Sequence, residues 1–125
     1  ELQPVYHFGH TIGHALEIAT KHKILHGEAI TIGMLVAIEL SIKKNNLKKS
    51  ILPETLELFK KYNLPTTIKK GIFDVKSFYQ AIKKDKKFFN ESSYFILMEG
   101  LFKVSNKMTP IKKNEYIKVL KKYIH

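Results

Sequence analysis

The 125-residue chain has no cysteine and no tryptophan, and none of its basic residues is arginine. Without cysteine there are no disulfides, thiolate metal ligands or cysteine nucleophiles, so any metal must be bound by histidine and carboxylate. We expect a cytoplasmic location, which this composition fits. All 22 basic residues are lysine, against 11 acidic residues. Because lysine lacks the planar fork of arginine, the formal charge of +11 favours diffuse attraction to anions over base-specific binding of nucleic acid.

The chain also lacks a long hydrophobic run and a secretory leader. Its longest apolar stretch, residues 29–42, is shorter than the roughly 20 residues that span a bilayer, so we expect a buried helix and no membrane contact. The first residue is Glu1 and the first methionine is Met34, so we expect a piece of a longer protein. Its length and 44% hydrophobic content predict that residues 1–125 form one domain with a real core.

Hydrophobic periodicity predicts a mainly α fold. Apolar residues at helical spacing predict helices over residues 6–20, 27–44, 53–62 and 75–84, the last capped by Asp74. Thr109 and Pro110 are predicted to open a final helix. Two β-branched or aromatic segments, 94–98 and 101–104, predict one small β-hairpin with Glu99 and Gly100 at its turn.

Five of the six histidines lie between residues 7 and 26. His10 and His14 are four apart on a predicted helix, so their rings project from one face, a spacing that serves one metal or one substrate. Glu17 continues this face and can orient one of the two rings. His26 precedes the second helix, where the positive helix end favours a neutral ring able to bind a cation. If the two helices form a hairpin, His26 returns beside His10 or His14.

Glycines on the same two helices indicate a close approach. Gly9, Gly13 and Gly33 are costly in helix interiors, so they suggest that backbones or a ligand come close there. The plainer interpretation of the glycines is helix packing, and that of an HxxxH pair is packed or solvated histidine; His22, between two lysines, is expected to be solvated. A catalytic zinc needs a third protein ligand, for which Glu17 and Glu28 are the local candidates and an upstream residue the alternative.

Two sequence blocks carry a resemblance to a known family. The run FGHTIGHALE at residues 8–17, followed by LHGEAI at 25–30 and IGM at 32–34, resembles the signature of the 3-dehydroquinate synthases and related sugar-phosphate cyclases. Asp85, Lys86 and Lys87, followed by a hairpin, agree with the family's later pattern. The resemblance implies the C-terminal helical domain of a two-domain enzyme whose N-terminal domain binds NAD.

The resemblance also implies site residues and chemistry. His10 and His26 match zinc ligands (Co²⁺ being a possible substitute), with a third glutamate ligand well upstream. His14 matches a histidine at the substrate that helps to move a hydroxyl proton, and either Lys86 or Lys87 matches a substrate-binding lysine. The implied activity is a phosphate lyase of the shikimate pathway of aromatic amino acid biosynthesis. It converts the keto-sugar phosphate DAHP into 3-dehydroquinate, and the parent enzyme is expected to be a homodimer.

Two positions depart from the family pattern. Where dehydroquinate synthases usually have arginine and asparagine facing the substrate, this chain has Gln3 and His7. Loss of an arginine removes a bidentate anion contact, so the substrate can lack the carboxylate. The 2-deoxy-scyllo-inosose synthases, which act on glucose 6-phosphate, vary at the same sites. Alternatively His7 compensates for the change, or it is an interfacial residue that tolerates substitution.

A non-enzymatic hypothesis remains beside the cyclase. A basic helical module could use its lysines to bind nucleic acid or an acidic protein, with incidental histidines. It predicts a contiguous lysine face and scattered histidines, whereas the cyclase hypothesis predicts that the rings of His10 and His26 converge to metal-bonding distance, with His14 in the same cleft. In the cyclase hypothesis we expect the isolated fragment to be inactive, because hydride transfer needs the nucleotide domain.

Overall fold

Helices make up most of the described chain. The computed structural model describes residues 9–84, 88–89, 92–100 and 103–125. In chain order these form α1 (His10–Ala19), α2 (His26–Asn45), α3 (Ile51–Lys61), a 3₁₀ turn (Lys70–Ile72), α4 (Val75–Lys83), β1 (Phe88–Phe89), β2 (Ser92–Gly100), β3 (Lys103–Lys112) and α5 (Lys113–Lys121). The predicted mainly α fold class is confirmed. Among the described residues no helix has the length and apolar character needed to cross a membrane.

Helix α2 is the centre of the fold. It is buried along most of its length, as its nearly continuous apolar sequence predicts, and packs against α1, α3, α5 and β2. At its start the Glu28 carboxylate accepts the Leu25 N–H at 2.7 Å. At its end Asn46 adopts a left-handed conformation with φ of 57°, which terminates the helix. The predicted helix over residues 27–44 is therefore confirmed.

Helices α1 and α2 form the predicted helical hairpin. Lys21 and His22 have φ values of 52° and 60°, so the chain leaves the helical path at the predicted break. Helix α1 starts at His10 because Gly9 has φ of 75° and cannot continue a right-handed helix. The start predicted at residue 6 lies outside the described residues.

The two helices cross where glycines face each other. A Cβ atom added to Gly33 would overlap the carbonyl oxygen of Gly9 and lie 2.9 Å from the backbone nitrogen of Gly13. A Cβ atom added to Gly13 would lie 2.8 Å from Cδ1 of Ile30. A methyl group at Gly33 would therefore force the helices apart, whereas one at Gly13 would first displace the end of the Ile30 side chain. The close approach predicted for these glycines is confirmed.

The β structure is larger than the single hairpin predicted. Strands β1, β2 and β3 form a three-stranded antiparallel sheet in that order. Gly100 pairs with Lys103, and both Glu99 and Gly100 belong to β2, so the turn predicted at these two residues was wrong. The pairing register between β2 and β3 shifts on both sides of Met98. The two strands are therefore less regular than the short hairpin that the sequence predicted.

The predicted start of the last helix was also wrong. Thr109 and Pro110 pair with Phe95 and Tyr94 inside β3, and α5 begins at Lys113. Because β3 lies at the edge of the three-stranded sheet, one of its sides has no neighbouring strand. Proline, which has no backbone N–H to donate, is tolerated in such edge strands. Helix α5 is capped at its first turn, where the Glu115 carboxylate accepts the Lys112 N–H at 3.0 Å.

Side chains of α2 hold the sheet and the C-terminal segment in place. At the irregular position in β2, the Met98 N–H donates to Ser41 Oγ and the Met98 carbonyl accepts from Asn45 Nδ2, both at 2.9 Å. On α2, Glu39 is a buried carboxylate that pairs with Lys122 and accepts the Tyr123 hydroxyl at 3.0 Å. These contacts satisfy polar groups that would otherwise be costly to bury.

The glycine crossing yields a matched pair of substitutions on α2. We expect Gly33→Ala to lower the free energy of unfolding by roughly 1–3 kcal/mol, because its methyl group meets the backbone of α1. Gly27→Ala is the control, since nothing lies within 4 Å of the added Cβ atom. It should raise the free energy of unfolding by up to about 1 kcal/mol through helix propensity. Urea unfolding measures both, and equal effects would contradict the packing argument.

Tyr123 should make stability depend on alkaline pH. Burial, followed by the charge and hydrogen bond of Glu39, raises the pKa of Tyr123 well above its ordinary value. Because folding raises this pKa, the neutral hydroxyl of Tyr123 stabilises the fold fully below about pH 10, which is the pKa of tyrosine in the unfolded chain. The stabilisation is lost as the pH rises above that value. The free energy of unfolding should therefore fall more steeply between about pH 9.5 and 11.5 in the native chain than in Tyr123→Phe.

Chemical denaturation at several pH values measures this slope. Tyr62→Phe is the control because Tyr62 is exposed at the end of α3. It should follow the native curve. Identical slopes for the native chain and Tyr123→Phe would refute the assignment to Tyr123.

Candidate metal and substrate site

The hairpin of α1 and α2 brings three of the clustered histidines together. His10 is the first residue of α1, His14 lies one turn later, and His26 is the first residue of α2. The ring centroids of His10 and His26 are 5.8 Å apart with an interplanar angle of 64°. The two rings are therefore neighbours, whereas the basic-module hypothesis predicted scattered histidines.

Glu17 joins His26 to His14. Its Oε2 accepts a hydrogen bond from Nδ1 of His26 at 3.1 Å, and its Oε1 lies 3.7 Å from Nδ1 of His14. The side chain of Glu17 is 13% exposed, whereas those of His14 and His26 are 65% and 59% exposed. The helical spacing predicted that Glu17 would orient His10 or His14. Its hydrogen bond is instead made to His26, from the other helix.

A groove of about 400 Å³ runs beside the histidines, between α1 and α4. The residues that line it are His10, Thr11, His14, Ile18, Ala81 and Lys84. His14 therefore shares this groove with His10, and His26 is not among the residues that line it. Lys84 was not proposed as a site residue, although it belongs to a lysine-rich run that marks the end of α4.

Helix α4 is fixed to α1 at its start. The Asp74 N–H donates to the carbonyl of Ala19 at 3.0 Å, and the Asp74 carboxylate accepts the Lys76 N–H as the predicted cap. The hydroxyl of Ser77, at 2.7 Å, lowers the pKa of this carboxyl below its ordinary value. These contacts set the position of Lys84 at the far end of α4, beside the groove.

The two converging rings fit a shared divalent cation. Imidazoles that share a zinc ion at an N–metal distance of about 2.1 Å have ring centroids roughly 5–6 Å apart, which matches the His10–His26 separation. Two imidazoles are part of the set of about three protein ligands that a catalytic zinc uses. In the described part of the chain, no group of three or more histidine, aspartate and glutamate side chains is arranged to hold a metal ion.

The remaining site predictions divide into three groups. Glu28, a candidate third ligand, caps α2 through the Leu25 N–H, so helix capping accounts for it. His22 is exposed in the break between the helices, as expected. The third group lies outside the described residues: Gln3, His7, Lys86 and Lys87.

Comparisons with known proteins identify a family that matches this sequence. The profile of the family described as 3-dehydroquinate synthase C-terminal matches residues 2–88. A 3-dehydroquinate synthase from Sulfurimonas denitrificans is 43% identical over 101 residues, covering 80% of this chain and 28% of the relative. One from Clostridium tetani is 37% identical over 121 residues, covering 97% of this chain and 31% of the relative.

Solved structures show the same fold. A crystal structure of 2-deoxy-scyllo-inosose synthase complexed with carbaglucose-6-phosphate, NAD⁺ and Co²⁺ matches 95% of this chain and 35% of its own, with a TM-score of 0.81 and 26% identity. ValA, a 2-epi-5-epi-valiolone synthase from Streptomyces hygroscopicus with NAD⁺ and Zn²⁺ bound, matches with a TM-score of 0.76 and 21% identity, covering 98% of this chain and 36% of its own.

Each match covers a similar fraction of the related protein. The chain spans about a third of the length of the relatives that it matches. The family profile covers more than half of the chain and includes the helical hairpin with His10, His14 and His26. The chain belongs to the 3-dehydroquinate synthase C-terminal family.

Proposed function

We propose that this chain is the C-terminal metal- and substrate-binding domain of a 3-dehydroquinate synthase. The whole enzyme would be a carbon–oxygen lyase of the shikimate pathway that converts DAHP into 3-dehydroquinate with loss of phosphate. The observation that carries the proposal is the convergence of His10 and His26, 5.8 Å apart by ring centroid, in a chain of this family.

His10 and His26 would hold the metal, with a third ligand from an upstream part of the protein. An N-terminal domain would bind NAD, and the isolated domain would be inactive without it. When bound, a divalent cation such as Zn²⁺ or Co²⁺ would polarise hydroxyl groups and NAD would accept and return a hydride. Structural relatives that were crystallised with NAD⁺ and Co²⁺ or Zn²⁺ support these choices.

The chain's own residues would bind the substrate and move a proton. His14 is exposed in the groove, one helical turn from His10, so its imidazole can exchange a proton with a substrate hydroxyl. Lys84 contributes a cation to the same groove. Lys86 or Lys87, which follow it closely in sequence, would bind the phosphate or carboxylate of the substrate.

A second candidate function is a cyclase of the 2-deoxy-scyllo-inosose synthase type. The fold match to such an enzyme, with a TM-score of 0.81, favours it, as do the departures Gln3 and His7. A glutamine cannot replace the bidentate anion contact of an arginine. A substrate without a carboxylate would therefore lose less binding affinity from this change than DAHP would. For either reaction we propose a cytoplasmic homodimer that binds neither membrane nor nucleic acid.

The two candidate reactions are distinguished by their substrates. The full-length protein, supplied with NAD and zinc, should release phosphate from DAHP and not from glucose 6-phosphate. Phosphate release is measured with a coupled colorimetric assay, and omission of NAD is the control. Release from glucose 6-phosphate alone would favour the second candidate, and release from neither would contradict both.

The proposed metal ligands can be tested separately in the same full-length protein. His10→Ala and His26→Ala should each lower the metal content, measured by atomic emission, and lower turnover by at least about 10²-fold, because each removes a ligand. His22→Asn is the matched control, since it removes an exposed histidine and asparagine tolerates its left-handed backbone. Normal metal content in His10→Ala or His26→Ala would refute the ligand assignment.

A further inference from the structure

We propose that Glu17 is a positioning residue that holds the imidazole of His26 in one tautomer and one orientation for metal binding. The proposal rests on the proposed function, because it takes His26 to be a ligand. It assigns to Glu17 an indirect role, through the ring that it contacts.

The position of Glu17 differs from that of an ordinary surface carboxylate. It lies on the inner part of α1 with its side chain 13% exposed, and its two oxygens face rings from two different helices. Oε2 is 3.1 Å from Nδ1 of His26, and Oε1 is 3.7 Å from Nδ1 of His14. The first distance is that of a hydrogen bond and the second is in the range of an ion pair only.

The hydrogen bond determines which nitrogen of His26 can bind a metal. A carboxylate accepts hydrogen bonds, so the proton of the neutral ring lies on Nδ1 and the lone pair lies on Nε2. A metal ligand must present such a lone pair. Histidines that bind metals commonly donate their other ring N–H to a carboxylate, which also raises the basicity of the ligating nitrogen.

The exposure of His26 gives this contact its importance. Its side chain is 59% exposed at the first residue of α2, so the surrounding protein restricts its rotamer less than it would a buried ring. The hydrogen bond to Glu17 limits that rotation. Because Glu17 belongs to α1, its hydrogen bond ties the His26 ring to the helix that also carries His10.

The tautomer of His26 provides a test that does not depend on enzyme activity. Long-range ¹⁵N–¹H NMR of the metal-free full-length protein at about pH 8, where an ordinary imidazole is neutral, should show His26 protonated on Nδ1. Glu17→Ala should shift the ring toward the form protonated on Nε2. Glu17→Gln, whose amide oxygen can still accept, should keep the native tautomer. Circular dichroism shows whether each variant is folded.

Metal affinity is the second measurement, made in the full-length protein with Co²⁺ alone. Glu17→Ala should weaken Co²⁺ binding by roughly 10–100-fold, and Glu17→Gln by less. Glu57→Gln is the matched control, because Glu57 is an exposed carboxylate on α3 outside the site. It should bind Co²⁺ as the native protein does.

The outcomes separate this proposal from the proposed function. If the native protein binds Co²⁺, His26→Ala does not, and Glu17→Ala binds with native affinity and an unchanged His26 tautomer, the positioning role of Glu17 is overturned while the metal site stands. If the native protein does not bind Co²⁺, or His26→Ala binds it equally well, the metal site itself is overturned, and the role of Glu17 with it.

Discussion

The close approach of α1 and α2 is the constraint on which the site depends. A methyl group at Gly33 would meet the backbone of Gly9 and Gly13, so only glycines allow the helices to cross at this distance. Because the helices approach so closely, His26 at the start of α2 lies beside His10 at the start of α1. The same glycines therefore serve the packing of the core and the assembly of the histidines.

The rest of the fold keeps this crossing in place. Helix α2 is buried along most of its length and is held by polar contacts to β2 and to the C-terminal segment. Helix α4 is joined to the end of α1 through Asp74, which places Lys84 on the other wall of the groove. A central helix with the candidate site at its N-terminal end is suited to the proposed reaction, which would need a metal, a proton-moving group and an anion contact at fixed distances.

The helices were more predictable than the β structure. Local signals sufficed for α2, where a continuous apolar run ends at two asparagines, and for α4, where Asp74 supplies a cap. They misled at Thr109 and Pro110, because a proline at the first turn of a helix and a proline in an edge strand look alike in sequence. What decides between them is pairing with β2, a long-range interaction that no local window contains.

The same division applies to the site. The sequence by itself determined that His10 and His14 share one helical face, because residues four apart in a helix lie one above the other. Its family pattern also singled out His26. Only the tertiary structure decided that Glu17 bonds to His26, because that contact depends on the left-handed turn at Lys21 and His22 and on the separation that the glycines allow. Lys84 likewise became a groove residue through the packing of α4 on α1, which helical periodicity alone does not specify.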